Sequence, residues 1–237
     1  MQRGDRHGNS PGEISMGVSM KDRVLERLAE ISVGARKVRG ILVLPPAASA
    51  VVVFAHGSGS GRFSPRNQFV AKVLQQSRLG TLLIDLLEED EAEDRARVFD
   101  IGLLAGRLQA AADWLATQRE TLGMRLGYFG ASTGAAAALL AAARKPAAVA
   151  AIVARGGRPD LARESLSQVT APTLLIVGGD DEVVVDLNKE AYALLRCQRQ
   201  LDIVPGATHL FSEPGALEEV ARLAEEWFLR YLVQAPA

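Results

Sequence analysis

From Lys37 onward, short apolar runs alternate with longer stretches in which apolar positions recur at helical spacing. RKVRGILVLPP reads as a strand closed by Pro45 and Pro46, and AVVVFAHGSGSG reads as an apolar strand entering a glycine-rich loop. Further strands are expected at GTLLIDLL, RLGYFGAS, VAAIVARGG, PTLLIVGGDD and RQLDIVPGAT. Helices are expected near Asn67 to Gln76, Val98 to Gln118, Ala135 to Arg144, Leu161 to Ser167, Leu187 to Arg196 and Ala216 to Val233. Runs without polar alternation belong to strands covered on both faces. Strands alternating with helices imply parallel βαβ units and an α/β, doubly wound, mostly parallel sheet flanked by helices. One element stays open: Val24 to Ile31 fits either a helical or an extended period.

No repeat or interdomain linker breaks the rhythm, so residues 21–237 are expected to form one domain. The polar stretch before them, residues 1–20, is expected to be a disordered tail. It lacks the apolar core of a secretory signal, and Met16 and Met20 offer alternative starts. The apolar runs Gly134–Ala143 and Pro146–Ala154 fall well short of a bilayer's thickness. With 48% apolar and 23% charged residues, the composition is that of a globular protein. A net charge of −1 argues against nucleic acid or an anionic membrane as partner. A single cysteine, Cys197, excludes an internal disulfide and suits the cytoplasm.

In such a sheet, ligands bind beyond the carboxyl ends of the strands. The loops that matter therefore begin at His56, Leu87, Ser132, Arg155, Asp180 and Gly206. One of them, Gly130-Ala131-Ser132-Thr133-Gly134, is a GxSxG turn between a strand and a helix, the setting of a nucleophile elbow. A serine nucleophile needs a base, and the chain has three histidines: His7, His56 and His209. His7 lies in the tail, and His56 directly follows a buried strand. His209, after the last strand in GATHLF, fits the chain order nucleophile, acid, base. The acid is expected in LLIVGGDDEVV, where Asp181 is preferred and Asp180 remains the alternative. The backbone N–H groups of Ser58 and Thr133 are the candidate oxyanion donors. The HGSGSG loop matches neither a GxxxxGK[ST] nor a GxGxxG phosphate cradle.

HGSGSGRFSPRN, DLL, GASTG, ARGGRPD, LLIVGGDDEVV and GATHLF together resemble the dienelactone-hydrolase-like branch of the α/β hydrolases. The resemblance covers nearly the whole chain from about Lys37. It implies a sheet of about eight strands with one antiparallel strand near the start. The short connection between the strand ending near Arg155 and the one starting near Thr173 leaves no room for a lid domain. Dienelactone hydrolases proper carry a cysteine nucleophile where this chain has Ser132. The expected activity is therefore hydrolysis of a small carboxylic ester through an acyl-enzyme. An acyltransferase or a non-catalytic binding scaffold is the alternative.

His56, Arg155 and Arg158 are substrate-binding candidates, with Arg62 and Arg66 on the same edge. The acidic run from Glu88 to Asp94 lacks histidine and ordered spacing, so it is expected to be a solvated loop with no metal. No cofactor is expected. The expected partner is a small-molecule ester, with neither nucleic acid nor membrane, and a homodimer is left open. Trp114 and Trp227 fall in helical patterns and are expected in the core.

Overall fold

The computed structural model describes residues 23–233, so the expected tail at 1–20 lies outside the described residues. The chain opens with strands β1 (Leu25–Val33) and β2 (Arg36–Leu44), which pair antiparallel over their whole lengths. Val24 to Ile31 is thus a strand. Leu28 is 74% exposed while Ala29 and Ile31 are buried, which is the alternation of an edge strand.

There follow β3 (Ala50–Ala55), α1 (Pro65–Gln76) and β4 (Gly80–Ile84), then two one-turn helices, α2 (Glu89–Ala92) and α3 (Arg95–Val98). Next come α4 (Ile101–Thr117), β5 (Arg125–Ala131), α5 (Thr133–Arg144) and β6 (Ala151–Arg155). A 3₁₀ stretch, Pro159–Gln168, leads to β7 (Thr173–Gly178), α6 (Glu182–Leu194), β8 (Arg199–Val204) and α7 (Ala216–Phe228). The single helix expected from Val98 to Gln118 is preceded by two short ones because aspartates restart the chain. Asp94 accepts from the Ala96 N–H and Asp100 from the Leu103 N–H, at 2.8 and 2.9 Å. The helix expected to begin at Leu187 begins at Glu182 instead. Its Val183-Val184-Val185 run reads as strand by propensity, but a buried face of Val184, Val185, Asn188 and Ala191 holds it helical.

The eight strands form one sheet in the order β1-β2-β4-β3-β5-β6-β7-β8. Only β2 opposes its neighbours; β4 to β8 with β3 run parallel. Side chains of α4, α5 and α6 join the apolar core on one face of the sheet, and those of α1 and α7 on the other. Helices on both faces explain why β3, β4, β6 and β7 are buried at every position. Trp227 is buried as expected, whereas Trp114 is half-buried under the Arg27 guanidinium, 5.0 Å from its ring centre. Parallel strands point the same way, so the loops after β3 to β8 gather on one edge.

Candidate active site

Strand β5 turns into α5 through Ser132, whose φ of 50° and ψ of −120° lie outside the regions an L-residue prefers. Two glycines make that turn fit. A Cβ on Gly134 would stand 2.2 Å from the Ala55 carbonyl oxygen, and one on Gly130 2.5 Å from the Ala135 Cα. The helix therefore packs directly against the end of β3, and ten of its twelve residues are buried. Thr133 is its first residue, so its N–H has no partner within the helix, and the residue lines a cavity together with Gly57 and Ser58.

Asp181 stands at the N-cap of α6, yet its side chain makes no capping bond. Its carboxylate is spent on His209: Oδ2 lies 2.7 Å from Nδ1. The carboxylate makes Nδ1 the protonated nitrogen and leaves Nε2 as the one able to take a proton from serine. Asp180 is exposed and contributes its N–H to the Ala207 carbonyl at 3.0 Å. Between the two adjacent acids, the geometry brings Asp181 to the histidine.

The His209 loop is fastened at both ends. Glu213 accepts from the Thr208 N–H at 3.1 Å and from its hydroxyl at 2.6 Å. Gly178 lets that loop close on β7, since a Cβ there would come within 2.3 Å of the Ala207 carbonyl oxygen. Buried Asn188 donates to the carbonyls of Gly157 and Val184 at 3.0 and 2.8 Å, tying α6 to the loop after β6. Sequence reading passed over Glu213 and Asn188. The available signal was a polar residue inside the valine-rich helix and an acid shortly after the histidine.

Ser132 and His209 line one cavity of about 170 Å³, together with Ser58, Arg66 and Arg155. Among the described residues no hydrogen bond joins the serine hydroxyl to His209; such bonds are commonly long in free enzymes and tighten around substrate. Ser58 sits in the loop facing the nucleophile, and Gly57 beside it approaches so closely that a Cβ would touch the Ser132 Cβ at 2.9 Å.

Two sequence candidates have their side chains engaged by neighbouring groups of the protein. The Arg158 guanidinium is held by Asp160 at 2.7 and 2.9 Å and is not among the residues lining the Ser132 cavity. His56 is buried, and its ring is consumed by backbone: Nδ1 donates to the Gly57 carbonyl and Nε2 accepts from the Leu86 N–H, both at 2.8 Å. Burial pushes its pKa down, so it stays neutral and joins the loops after β3 and β4.

The acidic run is also more than a solvated loop. Glu91 is buried in a two-pronged pair with Arg107, while Glu88 and Asp90 hold Arg36. The carboxylates of Glu88, Asp90 and Glu91 lie within 4.8 Å of one another, but arginines already engage them.

This sheet order, with a strained serine at the turn into its central helix, defines an α/β hydrolase. Residues 38–233 match the model of the dienelactone hydrolase family. The chain belongs to that family. A dienelactone hydrolase from Anabaena variabilis is 55% identical, with a TM-score of 0.85 over 88% of this chain and 99% of that one. An α/β serine hydrolase without lid from Xanthomonas campestris, at 21% identity, shares the fold with a TM-score of 0.71 over 89% of this chain and 97% of its own. A Mycobacterium tuberculosis protein that carries the provisional name of a phosphoribosyl transferase is 56% identical over 203 residues. Those residues are 86% of this chain but 46% of that relative, so the chain spans about half its length. No helix among the described residues is long and apolar enough to cross a membrane.

Proposed function

We propose that the protein is a serine hydrolase that cleaves a small carboxylic ester. The observation that carries the reading is the Asp181–His209 pair at 2.7 Å opening onto the cavity that holds Ser132. Ser132 attacks the acyl carbon, His209 takes its proton and delivers it to the leaving oxygen, and Asp181 keeps the imidazole oriented. The N–H groups of Ser58 and Thr133 receive the charge that develops on the carbonyl oxygen. Water then resolves the acyl-enzyme through the same histidine.

The proposed setting is the cytoplasm, consistent with the single half-buried cysteine, Cys197. The name of the mycobacterial relative belongs to a protein more than twice as long as the matched region.

A fluorophosphonate probe tests the assignment. Wild-type protein is expected to be labelled and Ser132→Ala to remain unlabelled. Equal labelling of both, or of neither, overturns the serine-hydrolase reading.

A further inference from the structure

The Ser132 cavity contains two arginines that pair with no acid among the described residues. Arg155 ends β6 and is only 7% exposed, and Arg66 lies in the first turn of α1. Both line the cavity, and the Nε of each is buried without a hydrogen-bond partner. The Arg155 guanidinium stands 5.7 Å from the centre of the Phe211 ring. Burial, followed by repulsion from Arg66, lowers its pKa to about 10. The other arginines on this edge are neutralised: Arg62 pairs with Asp85 and Arg158 with Asp160. A buried cation without a partner is costly, and a second cation beside it adds to that cost. A bound anion would offset both.

A second cavity, of about 220 Å³, lies on the other side of the Gly57–Ser58 turn. Leu86, Val98, Leu104 and Thr133 line it, with the carboxylates of Asp85 and Glu89, so it suits an uncharged or apolar group rather than an anion. Gly57, Ser58 and Ser60 border both spaces. The reaction decides which limb of an ester takes which cavity. His209 must protonate the departing oxygen, so the leaving limb lies on its side. His209 lines the arginine cavity and not the apolar one. The acyl limb is left with the apolar cavity beside the Thr133 N–H.

We infer that the substrate is an ester between a short apolar acid and an alcohol bearing a carboxylate or phosphate, and that Arg66 and Arg155 bind this anion. The inference rests on the serine-hydrolase reading and specifies its substrate. In the step concerned, Ser132 Oγ bonds to the acyl carbon and the bond from that carbon to the alcohol oxygen breaks. The serine proton passes through His209 to the alkoxide. Water then displaces the serine, so one ester and one water give one acid and one alcohol.

The test compares kcat/KM for matched esters. They are the butyrates of 4-hydroxybenzoate, of its methyl ester and of 4-hydroxyphenyl phosphate, with phenyl hemisuccinate as an ester whose charge is on the acyl side. At least one ester of an anionic alcohol should exceed the neutral one by about tenfold, the usual worth of a hydrogen bond to a charged group. The better of the two anions identifies the carboxylate or phosphate source. Arg66→Met should collapse that ratio, Arg155→Lys should keep more of it than Arg155→Met, and Arg163→Gln on an exposed ion pair should leave it unchanged.

Equal rates for neutral and anionic alcohols, or a ratio untouched by Arg66→Met, overturn the anion site. Preference for the hemisuccinate overturns the limb assignment. If no ester turns over and the fluorophosphonate fails to label, the hydrolase reading falls. The anion site is then decided by calorimetric titration with inorganic phosphate. Binding in wild type that Arg66→Met abolishes sustains it, and absence of binding in both ends it.

Discussion

Glu91 and Arg107 meet through two parallel hydrogen bonds of 2.6 Å, with both side chains buried. Arg107 also donates to the Leu86 carbonyl at 2.6 Å, so the pair fixes the loop that walls the apolar cavity.

The first prediction concerns acid stability. Arg107 holds the Glu91 carboxyl down to about 2, whereas an unfolded glutamate titrates near about 4.3. A depressed folded pKa contributes stability that is complete above the unfolded value and is lost as pH falls toward the folded one. Glu91→Gln should cost about 3 kcal/mol near neutrality by leaving Arg107 buried and unpaired. Between about pH 5 and about pH 3 the variant should lose less further stability than wild type. Urea midpoints measured across that range check both statements.

The second prediction concerns the triad. Ser132→Ala and His209→Ala should each lower ester turnover by about a thousandfold or more, and the double variant should be little worse than either. Asp181→Asn should be far more damaging than Asp180→Asn, because Asp181 holds Nδ1 and Asp180 is exposed. Steady-state kinetics on a butyrate ester check the ranking; additive losses contradict a shared machinery.

Two glycine-to-alanine changes should move stability in opposite directions. Gly134→Ala places a methyl 2.2 Å from the Ala55 carbonyl oxygen and should prevent soluble expression or abolish folding. Gly106→Ala, within α4 and with nothing inside 4 Å of the added methyl, should stabilise by about 0.5–1 kcal/mol. Thermal unfolding reads both.

Acyl length should be limited. The cavity assigned to the acyl group is small, about 220 Å³, with Val98 and Leu104 in its wall, and the link from β6 to β7 contains only a 3₁₀ stretch that packs near α5. Across p-nitrophenyl esters, kcat/KM should fall beyond roughly butyrate to hexanoate. A rise toward palmitate would mean that another segment covers the site.

Chelation should leave activity unchanged, because Arg36 and Arg107 already engage the carboxylates of Glu88, Asp90 and Glu91. Loss with EDTA and recovery with one divalent ion would show a cation competing successfully with those arginines.

The strand rhythm was legible because residues such as Val51 to Ala55 are covered on both faces, and continuous burial leaves a continuous apolar run. The elbow was legible for a related reason: Gly130 and Gly134 are demanded by contacts so close that substitution is excluded. What stayed hidden were choices between equals. Asp180 and Asp181 differ in direction, not in chemistry; spacing favoured Asp181 but left Asp180 open, and it is the 2.7 Å contact with His209 that separates them. Arg155 and Arg158 likewise read alike until Asp160 is seen to hold Arg158. Val24 to Ile31 stayed open because an exposed leucine such as Leu28 is indistinguishable in sequence from a buried one.

The burial of α5 also bears on any saturation mutagenesis of this chain. Its first eleven positions, Thr133 to Ala143, are nearly all small and enclosed, so larger side chains there should score as badly as changes to Ser132 itself. A growth or activity screen alone would therefore paint the whole helix as part of the catalytic centre. Only a paired readout of protein abundance would separate positions that abolish chemistry in a well-expressed protein, Ser132 and His209 foremost, from positions whose variants never accumulate.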